Sequence, residues 1–290
     1  MTTDDKAGRL GHAARSLGRF GVWRGGREVS PDLAVTIEQL GYGALWIGGS
    51  PDGELAQIEE LLAATTTLTL ATGIVNIWQD DAQIVAASFH RIEARFPGRF
   101  LLGVGAGHPE ATRAYTKPYA ALAGYVDALL GADVPPGAVV LAALGPQVLR
   151  LAAERTAGAH PYLITPEHTK RAREIMGTGP LLAPEQKVVL DDDPMQARII
   201  GRPRVAKPYL GLTNYTSNLR RLGWTDADLS DGGSDALIDA LVAHGPPGQV
   251  AGRLHEHLDA GADHVCVQLL TQPGDDLVGG YRRLAEALGF

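Results

Sequence analysis

"LTLATGIVNIWQDDAQIVAASFHRIEARFPGRFLLGVG", residues 68–105, holds one complete β-then-α unit and the strand of the next. Residues 68–75, "LTLATGIV", alternate as a strand does. Residues 80–96, "DDAQIVAASFHRIEARF", repeat apolar side chains at helical spacing behind Asp80 or Asp81 as N-cap. Residues 99–105, "RFLLGVG", form a strand again. One residue is out of place. Gly73 closes a good strand directly before Ile74 and Val75, which themselves favour strands. Glycine at such a point marks a bulge or a close approach to the backbone.

The same rhythm runs outward in both directions. Upstream, "GRFGVW" (18–23) and "ALWIGG" (44–49) read as strands. A helix lies between them, with Ser30 as N-cap, Pro31 at its first position and Gly41 as its stop. Residues 53–66 form the next helix, with Leu55, Ile58, Leu61 and Leu62 on one face. Downstream, strands are expected at 137–144, 158–164, 186–191 and 264–269, with helices at 146–156, 165–176, 193–200, 246–262 and 277–289. Residues 205–243 carry extra helices, broken at "LSDGGSD". Eight β-then-α units predict an α/β protein, a (β/α)8 barrel forming one domain over residues 1–290. An open doubly wound sheet is the competing arrangement. A barrel puts ligand groups at the C-terminal ends of its strands. Here those ends are Gly48 to Ser50, Gly73 to Asn76, Gly105 to His108, Ala142 to Gly145, and Ile164–Thr165.

The composition bounds the function. The chain has 290 residues, 45% of them hydrophobic, and a net charge of -7, which gives no general attraction for nucleic acid. No segment is apolar enough to span a membrane or act as a secretory signal, so a cytoplasmic protein is expected. The single cysteine, Cys266, lies in the apolar run "HVCVQL" and reads as packing. Of nine histidines, His12 and His244 read as surface residues. His255 and His257 stand two apart and face different sides of a helix. His108 and His160 sit at strand ends. "DDDP" (191–194) supplies an N-cap rather than a metal site, and no metal-ligand spacing is present.

Two glycine turns remain open on spacing alone. "GVGAGHP" (103–109) is either a loop of exposed N–H groups or a tight turn. In "LAALGP" (141–146), Gly145 is either an anion site at a helix N-terminus or a simple turn.

Four stretches give the chain a family resemblance: "LGYGALWIGGS" (40–50), "LTLATGIVNIW" (68–78), "AASFHRIEARFPGRFLLGVGAGHP" (86–109) and "PPGQVAGRLHEHLDAGADHVCVQLL" (246–270). The third, with Gly98-Arg99-Phe100 and its glycine loop, is the most specific. Together they resemble the bacterial luciferase-like superfamily, in its branch of coenzyme F420-dependent oxidoreductases. The resemblance implies a barrel with shortened insertions, a homodimer, and hydride transfer between F420 and a small organic substrate. It implies a cis peptide bond at Gly73–Ile74 that presses on the back of the deazaflavin. It further implies cofactor contacts from Gly73, Ile74, Asn76, Gly105, Ala106, Gly107, Ala142, Ala143 and Gly145. Arg113, Lys117, Lys170 and Arg171 are candidates to face the anionic tail of F420.

The departures from the family pattern matter. Where related dehydrogenases have an Asp-His pair at the end of strand two, this chain has Gly49 and Ser50. Where they have a glutamate after the strand-four glycines, it has His108. His108 and Ser50 are therefore the candidate catalytic residues. An imidazole near its ordinary pKa suits a proton relay at neutral pH. Two other functions stay open: an FMN-dependent monooxygenase of the same superfamily, and a non-catalytic barrel that binds cofactor only.

Overall fold

The structure, a computed structural model, describes residues 11–108 and 117–290. Its strands are β1 (Phe20–Gly25), β2 (Ala44–Gly48), β3 (Thr69–Gly73), β4 (Val75–Asn76), β5 (Phe100–Gly105), β6 (Val139–Leu141), β7 (Gly158–Ala159), β8 (Leu181–Leu182), β9 (Glu185–Val189), β10 (Val242–His244) and β11 (Val265–Leu269). Every pairing among them is parallel. The order runs β10-β9-β11-β1-β2-β3-β5-β6-β7-β8, with β4 beside β5. Its two ends meet, because β8 and β9 are parts of one run, 181–189. Ala183 N–H donates to Ala159 C=O and Glu185 N–H to Pro161 C=O on one side, while Cys266 N–H donates to Pro184 C=O on the other. The sheet therefore closes into the eight-position barrel expected from the sequence. β10, in the segment read as helical, adds a short rim strand to β9.

The helices begin where the sequence says they should. Ser30 accepts the Leu33 N–H, Asp81 the Gln83 N–H and Asp193 the Met195 N–H. A helix at Pro118–Gly131 is an addition. Its Ala and Leu residues are spread around the whole circumference, which leaves no periodic stripe to read. Among the described residues, no helix is long and apolar enough to cross a membrane.

Side chains alternate between two layers, as strand geometry requires. Leu45, Ile47, Leu70, Leu102 and Val104 pack outward in the cluster shared with the helices. Ala44, Trp46, Ala71, Leu101, Val140 and Cys266 form a separate cluster inside the barrel. Trp46 fills that space among small neighbours. It stacks on His160 with centroids 4.2 Å apart, and its indole N–H donates to His264 Nε2 at 3.1 Å.

Gly73 does mark a bulge. Ala71 faces Leu101 and Val75 faces Val104, so four steps on one strand match three on the other. The Gly73–Ile74 bond within it is cis. The lost ladder is replaced by a side chain: Thr72 Oγ1 donates to Gly103 C=O and accepts Gly103 N–H, each at 2.8 Å. Thr72 is fully buried. Thr72→Val keeps the shape but strands both backbone groups of Gly103. It should cost about 1–3 kcal/mol, read as a lowered urea midpoint. A change below about 0.5 kcal/mol would mean the bulge holds itself without the hydroxyl.

Candidate active site

A cavity of about 730 Å³ opens at the C-terminal ends of the strands. Ser50 and Gly49 reach it from β2, Gly73, Ile74 and Asn76 from the bulge, Ala106, Gly107 and His108 from the loop after β5, and Ala142, Ala143 and Gly145 from beyond β6. The sequence-expected residues thus meet in one place, with one difference. Gly105 lies behind the wall. A Cβ there would stand 2.8 Å from Ala142 Cβ and 3.0 Å from Ile74 Cγ1, so its bare backbone lets those two side chains approach.

The bulge and the glycine loop are tied together. Asn76 is buried, and its Oδ1 accepts the Trp78 N–H at 3.0 Å. The Trp78 indole N–H donates to Ala106 C=O at 2.7 Å. Gly107 adopts φ +60°, and a Cβ there would lie 2.9 Å from Asn76 Nδ2. Both the left-handed backbone and the close approach require glycine.

His108 and Ser50 line the same cavity. Asn214 Nδ2 lies 3.4 Å from His108 Nδ1. With the amide N–H as donor, Nδ1 is the acceptor of this long contact. The far wall is aromatic and comes from elements the sequence gave no reason to join. Ring centroids run from Trp23 to Tyr162 (5.1 Å), Tyr209 (5.3 Å), Tyr215 (4.9 Å) and His108 (5.5 Å). Burial pushes the Tyr209 hydroxyl up to about 12 and those of Tyr162 and Tyr215 well above the ordinary tyrosine value, so all three stay neutral donors.

Two groups at the floor lack hydrogen-bond partners: Trp23 Nε1 and His160 Nε2. Both face the bare side of Gly73, where a Cβ would lie 2.8 Å from the first and 3.2 Å from the second. The His160 Nδ1–H donates to Ala183 C=O at 2.7 Å, and burial lowers the ring pKa to about 4. Nε2 is therefore an acceptor beside an indole donor. Buried polar groups of this kind are costly unless a ligand completes them.

The opposite end suits an anion. The helix Pro146–Arg155 starts after Gly145 with no side-chain cap, so its first N–H groups are open. Arg221 lines the cavity there, with Nη2 3.9 Å from where a Gly145 Cβ would stand. Sequence reading missed Arg221. Its signal was a polar stripe, since Asn214, Ser217 and Arg221 recur along the helix Thr213–Arg221 and all face the cavity. Of the four basic residues proposed for the rim, Arg113 lies outside the described residues. Lys117, Lys170 and Arg171 do not line the cavity. Arg171 instead donates to Arg221 C=O at 2.5 Å. His244, read as a surface residue, is partly buried against Asp239 at 3.2 Å. Cys266 is fully buried in the barrel.

Beneath the aromatic wall lies a buried ion pair. Lys187 Nζ stands 3.1 Å from Glu185 Oε1 and donates to Gln268 Oε1 at 2.9 Å. It also lies 3.9 Å from the Tyr162 ring centroid. Tyr162 donates to the same Gln268 oxygen at 2.9 Å, and Tyr209 donates to Tyr162 at 3.1 Å.

Residues 27–132 match the model of the luciferase-like monooxygenase family. Among curated protein sequences, none matches the chain. Solved structures do. An F420-dependent secondary alcohol dehydrogenase, in complex with an F420–acetone adduct, superposes with TM-score 0.73 at 14% identity, covering 93% of this chain and 99% of that one. The coenzyme F420-dependent tetrahydromethanopterin reductase from Methanopyrus kandleri gives 0.66 at 17%, covering 93% and 98%. The oxygenating constituent of 3,6-diketocamphane monooxygenase from Pseudomonas putida, in complex with FMN, gives 0.65 at 16%, covering 92% and 96%. The chain has the luciferase-like barrel fold, and its residues 27–132 carry the sequence pattern of the luciferase-like monooxygenase family.

Proposed function

We propose that this protein is an F420-dependent oxidoreductase that passes a hydride between the deazaflavin and a small organic substrate. The observation that carries this reading is the pair of complementary ends in one cavity. At one end stand an unpartnered donor and acceptor, Trp23 Nε1 and His160 Nε2; at the other lie the open N-terminus of the helix Pro146–Arg155 and Arg221. A flat ring with an imide edge and a phosphate-bearing tail fits such a site. When bound, the deazaflavin supplies two-electron hydride transfer. The chain's own residues bind and orient. Gly73 and Ile74 form the wall against which a ring would rest. Ala106, Gly107, Ala142, Ala143 and Gly145 frame the tail, and Arg221 meets its charge. Among the polar residues that line the cavity, His108 and Ser50 are the candidates to hold the reacting group of a substrate and move its proton.

The F420 reading has the support of two neighbours described as F420-dependent, at TM-scores of 0.73 and 0.66. An FMN-dependent monooxygenase is the second reading, supported by the family match and by that FMN-bound neighbour. Fluorescence titration separates them. F420 should bind saturably, with FMN binding much more weakly. Arg221→Ala should weaken F420 binding about 10- to 100-fold, the size of one or two charge-assisted contacts. His108→Ala should leave F420 affinity unchanged. FMN co-purifying at full occupancy would give the site to the monooxygenase reading, and binding of neither would leave a degenerate barrel.

A further inference from the structure

The aromatic wall is more continuous than a cofactor site requires. Trp23, Tyr162, Tyr209, Tyr215 and His108 succeed one another at centroid distances of 5.1, 5.3, 4.9 and 5.5 Å, and all five line the cavity. They come from β1, from the segment after β7, from the helical insertion after β9 and from the loop after β5. Four separate parts of the chain therefore converge to present ring faces and edges to one space. Spacings of this kind are those at which aromatic rings attract one another, and a planar ligand can join the series.

The charge on the wall is equally selective. Among the described lining residues there is no Asp, Glu or Lys, and Arg221 is the only Arg. Arg221 stands at the Gly145 end, six residues and so roughly 9 Å of backbone rise along its helix from Tyr215. The ammonium beneath the arc, Lys187, is paired with Glu185, so no net charge underlies the rings. A carboxylate or ammonium seated at the arc would lose its hydration without gaining a counter-charge. The tyrosine hydroxyls and His108 offer hydrogen bonds instead.

We infer that the substrate is an uncharged, planar aromatic molecule, held against the arc from Trp23 to His108. This deepens the oxidoreductase reading by naming its substrate class, and it rests on that reading only in calling the ligand a substrate.

Calorimetric titration with three probes of one skeleton tests it: naphthol, which is planar and neutral; naphthoate, which is planar and anionic; and decalol, which is neutral and saturated. Each is titrated into the cofactor-free protein and into the protein loaded with F420. Naphthol should bind both forms, with naphthoate and decalol each at least about tenfold weaker. Tyr209→Leu and Tyr215→Leu should each weaken naphthol roughly two- to tenfold, the range for losing one aromatic partner. Tyr209 is only partly buried, so its variant decides the matter if the Tyr215 variant does not fold. Equal or tighter binding of naphthoate or decalol would overturn the inference. So would insensitivity to the tyrosine changes, or displacement of naphthol by F420. Naphthol binding in a protein that ignores F420 would instead sink the F420-dependent reading and keep the arc as a ligand site.

Discussion

Lys187→Met should destabilise the protein by about 3–5 kcal/mol, the range for breaking one side of a buried ion pair. Lys187 and Glu185 are both essentially inaccessible. Burial pushes the lysine down and the carboxyl up, and their mutual attraction at 3.1 Å opposes both shifts. The second carboxylate oxygen accepts the Leu163 N–H at 3.0 Å. Methionine matches the length of lysine but leaves Glu185 without its cation. Glu185→Gln added to Lys187→Met should recover most of the loss, because the amide oxygen still accepts from Leu163 and no charge is left unpaired. Urea unfolding of the wild type, both single variants and the double variant gives the coupling directly. A single-variant cost below about 1 kcal/mol, or a double variant worse than either single one, would show that the pair is not ionised. The effect should reach the cavity, since Tyr162 and Tyr209 rest on Lys187.

Acid should destabilise the protein steeply below pH 6.5. Four histidines are buried in neutral form. Desolvation is the leading cause in each case, lowering His160, His168 and His264 to about 4 and His257 to about 3. Their partners fix this state. His264 Nδ1–H donates to Gly18 C=O while Nε2 accepts the Trp46 N–H. His257 Nε2–H donates to Gln186 Oε1 while Nδ1 accepts from Thr169 Oγ1. In His264 a second ring proton would point at the Trp46 donor. In His160 and His168 it would meet no acceptor, since Nε2 of the first and Nδ1 of the second have no partner.

In the unfolded chain these rings take up protons near the ordinary histidine value of about 6.5. The folded values lie below that, so the unfolded state binds more protons between about pH 6.5 and pH 4, and stability falls as pH drops through this window. Each ring contributes a slope of about 1.4 kcal/mol per pH unit. Several together rival a typical total stability of 5–15 kcal/mol. The urea midpoint measured from pH 7 to pH 5 should report uptake of three to four protons on unfolding. His257→Gln should remove about one of them. A midpoint unchanged over that range would mean that the buried rings are already charged in the folded protein.

Much of this molecule was legible in its sequence. Barrel strands are buried on both faces and read as short apolar runs, and the helices between them carry one-sided stripes and explicit caps such as Ser30, Asp81 and Asp193. Those are local properties, which is why the eight units and the bulge at Gly73 could be found before the structure. The helix Pro118–Gly131 escaped because its apolar residues are spread round its circumference, and β10 escaped because a three-residue rim strand has no pattern of its own.

The loop ends at Ser50, Gly73, Gly107, His108 and Gly145 were also readable, since a barrel turns every strand end toward one mouth. What those loops would face was not. Trp23 and Tyr162 lie in segments read only as strands, and Tyr209, Tyr215 and Arg221 belong to an insertion whose path over the mouth leaves no local mark. His160 drew attention at a strand end, but its bare Nε2 exists only because Ala183 takes its other nitrogen. Lys187 and Glu185 drew no notice in the sequence, and the closed sheet buries both. Sequence by itself determined the elements, their caps and the end of the barrel at which the cavity opens, because spacing and backbone chemistry act over a few residues. Only the tertiary structure decided which side chains share the cavity and which charges are sealed beneath it, because those depend on contacts between segments far apart in the chain, from some tens of residues to more than a hundred.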